Sequence, residues 1–240
     1  MDIGAEYERL IVPCHECGRT NIISRSSDLS DTGFAIGKEL PCQNPHCEAN
    51  VRVSLEAADP DYQLMIWEAT RLRGEKRYML AVAALAQAFE MFFALAVEVM
   101  LIHHVANFGN ATEDELTKLA GDVYEATERF TYWKMRNLFI SVAVRPRPSS
   151  VSEAAQIIGN ISALAKERSD TELSSSGDPR LTELLFRLMA LTIGNLRNRV
   201  VHKIAYRPRV QELNESLGQA TRLTGELWVT LELSRSLRGD

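Results

Sequence analysis

The chain has 240 residues, of which 45% are apolar and 25% charged, and its formal net charge is −5. That length supports one generous domain or two unequal ones, and the composition excludes disordered and fibrous classes. Binding that coats nucleic acid indiscriminately is driven by Lys and Arg displacing counterions from phosphates, so in a net acidic chain any nucleic-acid contact must be local.

The opening segment, MDIGAEYERL, carries acids where an export signal needs positive charge followed by an apolar run. A cytoplasmic protein is expected, with its cysteines in a reducing compartment where metal binding is a better reading than disulfides. All four cysteines, Cys14, Cys17, Cys42 and Cys47, lie in the first fifth of the chain. Around them the pattern is of short strands at 9–12, 21–24, 33–39 and 50–55, separated by Gly, Pro, Ser and Asp turns.

Cys14-His15-Glu16-Cys17-Gly18 is a turn that brings two thiolates to one ion, with Gly relieving the backbone after the second ligand. Cys42-Gln43-Asn44-Pro45-His46-Cys47 supplies a second pair. Its spacing is four residues rather than two, so His46 is an alternative ligand to Cys47, although that choice leaves a cysteine idle. Four thiolates predict a closed, structural Zn2+ site, one per chain, in a module too small for a core of its own. A catalytic zinc needs an open position and a neighbouring acid or base, for which only His15 and Glu16 offer themselves. The segment resembles a zinc ribbon, a fold used for scaffolding and for contacts with protein or nucleic acid. The module is expected to span residues 1–58.

From residue 59 to 240 the pattern is helical, with helices expected at 61–73, 76–107, 112–142, 152–167, 179–206 and 208–237. Thr112 with Glu115, Ser152 with Glu153, and Asp178 before Pro179 are helix-start signals. Two linkers, 145–150 rich in Pro and Arg and 169–178 rich in Ser and acids, are expected to be exposed and mobile. The run 80–102 is long enough to span a bilayer but carries Gln87, Glu90 and Glu98 in its interior, so a buried helix is expected and no membrane contact. His103 and His104 end that helix, where cationic groups meet the negative end of its dipole. Tyr132 and Trp133 are placed in the core.

One stretch concentrates positive charge: Leu196-Arg197-Asn198-Arg199-Val200-Val201-His202-Lys203, followed by Tyr206, Arg207 and Arg209. On a helix Asn198 and His202 share a face, while Arg197 lies about 140° round from His202 and reaches across with its long side chain. Such a group suits RNA cleavage without metal. Histidine can take the proton of a ribose 2′-hydroxyl and a guanidinium can stabilise charge growing on phosphoryl oxygens. The same spacing also fits a helix with Val200 and Val201 in the core and solvated cations around them. Glu90, a carboxylate inside an apolar helix, needs a partner such as Arg197. Glu98 is the alternative for that part.

Arg197-Asn198-x-x-x-His202 in a late helix resembles the R-x(4 to 6)-H motif of HEPN domains, in which a polar residue often follows the Arg. The helix bearing AQAFEMFFALAVEVM is similar to the apolar helix with an embedded acid in many members. The resemblance implies a mainly α fold, a HEPN-like helical bundle behind the small β zinc-ribbon module. It also implies a homodimer in which two copies of the motif form one ribonuclease cleft. On that basis Arg197 and His202 are catalytic, Asn198 is a helper and Glu90 a supporting residue. The expected activity is a metal-independent endoribonuclease leaving a 2′,3′-cyclic phosphate, in a toxin–antitoxin or antiviral defence setting where an antitoxin or regulatory protein restrains it. The alternative is a non-catalytic dimerisation or nucleotide- and RNA-binding module whose ribbon docks partners.

Overall fold

The computed structural model describes residues 9–24, 38–53, 61–108, 111–166, 173, 177–202 and 206–233. It is mainly helical, with a small β region near the N-terminus. Two antiparallel hairpins form that region: β1 (Arg9–Pro13) pairs with β2 (Thr20–Ser24), and β3 (Lys38–Pro41) with β4 (Asn50–Val53). Of the third strand, expected at 33–39, residues 33–37 lie outside the described residues. So do residues 54–58, where the module was expected to end.

The helices are α1 (Asp61–Gly74), α2 (Tyr78–Glu98), α3 (Glu113–Thr127), α4 (Tyr132–Ala143), α5 (Val151–Gly159), α6 (Ile161–Leu164), α7 (Pro179–Met189), α8 (Ile193–His202) and α9 (Val210–Thr230). Helix α2 continues through a wide π turn, Val99–His103, into a last α-helical turn, His104–Phe108. Val99, Met100, Leu101 and Ile102 are all buried in that turn. The long apolar segment is therefore the hub of a bundle: α1, α4, α8 and α9 all pack on α2. Length and composition alone would let this helix cross a membrane, but most of its apolar surface is taken up by neighbouring helices.

An aromatic cluster sets the spacing of the hub and its neighbours. Phe93 stacks on Phe139 of α4 at 5.3 Å, Phe92 meets Phe139 at 5.6 Å, and Tyr62 of α1 meets Phe92 edge-on at 5.1 Å. Offset and edge-on pairs at these separations add to the large area that each ring buries.

Three expected helices are split. The 112–142 helix breaks at 128–131, the 152–167 helix at Gly159-Asn160, and the 179–206 helix at residues 190–192. Each break lets a following helix turn its apolar stripe back to the core, which a straight helix of that length would carry past it. Caps match the start signals. Thr112 accepts from the Glu115 N–H while the Glu115 carboxylate accepts from the Thr112 N–H, and Asp178 accepts from the N–H groups of Arg180 and Leu181. Before α5 the cap is Ser150 rather than Ser152. The 145–150 linker is held rather than loose: Arg147 donates to the Leu231 carbonyl at 3.0 Å and Pro148 is buried. Of the 169–178 linker only Leu173, Gly177 and Asp178 are described, and Leu173 is buried in the core.

Candidate functional site

Each hairpin ends in a cysteine turn, and the two turns face each other. Gly18 takes φ 67°, donating its N–H to the Cys14 carbonyl at 2.9 Å, while the Cys14 N–H reaches the Arg19 carbonyl at 2.8 Å. In the second turn Cys42 N–H donates to Ala49 and Cys47 N–H to Asn44, both at 2.9 Å. The result is four Sγ atoms all within 4.8 Å of one another. Cys14 and Cys47 lie 3.9 Å apart, and Cys17 and Cys42 3.7 Å.

A disulfide needs about 2.0 Å between sulfurs. A tetrahedral ion with metal–sulfur bonds of about 2.3 Å needs sulfurs about 3.8 Å apart, close to what the two pairs show. The fourth sulfur belongs to Cys47, while His46 is exposed. His15 and Glu16 are exposed and pair with each other at 3.5 Å. The donor set is thus sulfur alone, which suits a closed site. Hydrogen bonds from the backbone at Arg19 and from Asn44 pull the Cys17 thiol down to about 6, so a thiolate is available near neutral pH. At Cys47 the Ala49 backbone acts downward, but burial and the neighbouring thiols outweigh it and push the group up to about 12.

Two residues that the motif does not announce lock the hairpins together. Asn21, buried to 1% exposure, donates to the Val12 and Arg19 carbonyls and accepts from the Gln43 N–H at 2.7 Å. The Gln43 side chain accepts from the Ile22 N–H at 2.9 Å and donates to the Ile22 carbonyl at 2.7 Å, imitating one rung of a sheet.

In the bundle, Arg197, Asn198 and His202 ride on the last turns of α8, with Arg197 and Asn198 half-buried and His202 exposed. None of the three side chains makes a hydrogen bond or an ion pair with the described residues. Arg199, two positions from Arg197, behaves differently. It donates to Glu212 at 3.3 Å and lies 4.7 Å over the Tyr206 ring, while Tyr206 donates its hydroxyl proton to the same carboxylate at 3.0 Å. The Arg209 N–H also reaches Glu212, at 2.9 Å, and this contact chiefly holds the Glu212 carboxyl below its ordinary range. One arginine thus fastens the α8–α9 connection and the other stays uncommitted. Lys203 lies outside the described residues.

Glu90 of α2 is half-buried, and burial raises its carboxyl above the usual range while the Arg197 charge opposes the rise. The two groups sense each other across the α2–α8 contact without forming an ion pair within 4 Å. Glu98 is exposed and faces His103 on its own helix at 3.8 Å, so it takes no part there. His104 is held below its ordinary value by burial and by the charge of Arg147.

The approach of α8 to the core depends on Gly194. A Cβ there would lie 2.7 Å from ring atoms of both Tyr132 and Trp133. Tyr132 is buried against Phe93, and Trp133 carries the Arg136 guanidinium 4.6 Å over its ring. An isolated Gly inside a helical pattern was the available sequence signal for this close approach.

Comparison of the chain with family models, with curated proteins and with solved structures finds no match in any of the three. The reading of the site therefore rests on its own residues.

Proposed function

We propose that the protein is a metal-independent endoribonuclease of the HEPN type, and that the four-cysteine cluster holds one structural zinc ion. The observation that carries the nuclease reading is the contrast on α8. Arg197, Asn198 and His202 are left uncommitted next to a half-buried carboxylate, on a helix whose other arginine, Arg199, is engaged by Glu212.

In the proposed reaction His202 takes the proton from a ribose 2′-hydroxyl, and that oxygen attacks the adjacent phosphorus. The bond from phosphorus to the 5′ oxygen breaks, leaving a 2′,3′-cyclic phosphate, and the departing oxygen takes the proton back from the His202 imidazolium to become a 5′-hydroxyl. Arg197 stabilises the charge on the phosphoryl oxygens, Asn198 orients the phosphate or the imidazole, and Glu90 holds the guanidinium in place. Two copies of the chain form the cleft. Leu80, Val201 and Val210, at the start of α2, the end of α8 and the start of α9, are exposed apolar residues at the same end of the bundle, as a self-association face requires. A setting in defence, with a protein that restrains the activity, follows from the family resemblance.

The test is cleavage of a mixed-sequence RNA with analysis of its ends. Arg197→Ala or His202→Ala is expected to lower the rate by at least about a hundredfold without loss of helicity. Equal cleavage by both variants overturns the reading. The exposed apolar residues also suit a second reading, a non-catalytic docking module. It predicts no cleavage by the wild type and a partner whose binding survives His202→Ala.

A further inference from the structure

The helix directions bring two basic segments, far apart in sequence, to one end of the bundle. Tyr62 at the start of α1 lies 6.1 Å from Trp228 near the end of α9, while Arg73 at the end of α1 donates to Asn214 in the first turns of α9 at 3.0 Å. Helices α1 and α9 are therefore antiparallel. Helix α8 runs against α2: Gly194 sits with Tyr132, which packs on Phe93, and Arg197 follows at the level of Glu90. The α1–α2 turn, the end of α8 and the start of α9 thus share one end. That end carries Arg73, Lys76 and Arg77 from the first, His202 from the second, and Arg209 from the third.

The carboxylates at this end are already engaged. Glu68 and Glu75 are held by Arg71, Glu212 by Arg199 and Tyr206, and Glu215 by the Gln211 side chain at 3.0 Å. Arg77 touches Glu75 only at 3.6 Å and remains mostly exposed. Lys76 and Arg209 are exposed, and no carboxylate lies within 4 Å of either among the described residues.

Lys76 carries a second, independent sign. It closes α1 with φ 60°, while the Arg77 N–H reaches back to the Leu72 carbonyl at 2.9 Å and the Lys76 N–H to the Arg73 carbonyl at 3.0 Å. This is the helix-ending arrangement in which glycine is the usual residue, because an L side chain is strained in the left-handed region. A lysine in place of the usual glycine sets an exposed charge at this turn despite the backbone strain.

We infer that Arg73, Lys76, Arg77 and Arg209 form a phosphate-binding strip. It holds the backbone of single-stranded RNA on either side of the phosphate placed between Arg197 and His202. The inference rests on the nuclease reading for the identity of the ligand and adds to it the residues that grip the strand. It also reconciles an acidic chain with an RNA substrate, since these four cations are gathered at one end.

The experiment measures binding by the full chain to a fluorescein-labelled, 2′-O-methyl RNA of about 20 nucleotides, between about 50 and 200 mM salt. The probe cannot be cleaved, and cleavable RNA of the same sequence is assayed in parallel. For single strands each phosphate contact contributes about 0.7 to the salt slope, so the combined Lys76→Gly, Arg77→Gln and Arg209→Gln protein should lose about 2 from its slope. At about 0.1 M salt its affinity should fall on the order of a hundredfold. Lys76→Gly alone should raise the Tm while weakening binding, which separates loss of grip from loss of fold. Binding by the triple variant with an unchanged slope overturns the strip and leaves the nuclease reading intact. A strip-dependent slope with no cleavage by the wild type supports the strip and overturns the nuclease reading. No binding by the wild type overturns the strip, and overturns the nuclease reading as well only if the parallel RNA is left uncut.

Discussion

The two parts of this protein solve the same folding problem by different means. The helical bundle has a core of large side chains, with Phe89, Phe92, Phe93 and Phe139 all at 1% exposure or less. Among its described residues the β module has a central cluster of Cys14, Cys42 and Val51, with Val12, Cys47 and Ala49 packed against them, and one further buried apolar side chain, Ile23. So small a cluster offsets little of the entropy of ordering two hairpins, and on the proposed reading a metal held by the four cysteines supplies what apolar burial does not. The difference also separates the chemistry. A centre whose coordination is filled by sulfur has no position for a substrate, whereas α8 presents side chains that the fold does not use.

The sharpest way to break this comparison is to remove the metal. Structural zinc sites in small modules are worth about 10–16 kcal/mol, so Cys42→Ser should abolish metal content and unfold the hairpins. Far-UV circular dichroism should still show the bundle, because its core shares no residue with the cysteine cluster. Collapse of helicity together with the metal would show that the two parts fold as one. Because thiolates are the ligands and binding displaces their protons, metal retention should weaken on acidification, read as metal content against pH. The converse variant, Phe93→Ala, should cost the bundle about 3–5 kcal/mol in denaturant unfolding and leave bound metal unchanged.

Gly194→Ala comes next. Its new methyl meets two aromatic rings that are themselves packed, so a loss of about 1–3 kcal/mol is expected, with a displaced α8 and slower cleavage. Thr112→Ala should remove about 1 kcal/mol through the loss of the cap on α3, with no effect on metal or cleavage. The smallest effect is at Glu90. Its folded-state value is raised, so the protonated form favours the fold, and that contribution fades as pH rises through the folded value. Glu90→Gln should therefore leave stability at neutral pH unchanged or slightly higher and flatten its dependence on pH above the carboxylate range. Cleavage by the same variant should nonetheless fall.

What the sequence made legible follows the range of each signal. The cysteine cluster was readable because a cluster built from two local turns leaves its spacing in the chain. Glu90 was readable as a carboxylate in an apolar helix, and the Arg197 charge does act on it, but without the ion pair that a buried partner implies. The hairpin lock was not readable, since Asn21 and Gln43 act through side chain–backbone bonds that have no periodicity. The breaks at 128–131, 159–160 and 190–192 were missed because apolar residues continue at helical spacing across them. Arg147 was read as part of an exposed linker because its partner, the Leu231 carbonyl, lies 84 residues away. The basic end of the bundle was half legible: the cluster at 197–209 stands out, but Arg73, Lys76 and Arg77 join it only through the antiparallel packing of α1 and α9.

The central claim is that the reaction belongs to α8 and not to the metal. It is tested most directly by single-turnover RNA cleavage under two conditions: wild type in excess EDTA, and metal-loaded His202→Ala, with metal content measured in both. Cleavage by the first and none by the second is the predicted result. Cleavage by the His202→Ala protein, with loss of activity in the wild type as metal is removed, would contradict it and move the chemistry to the cysteine centre.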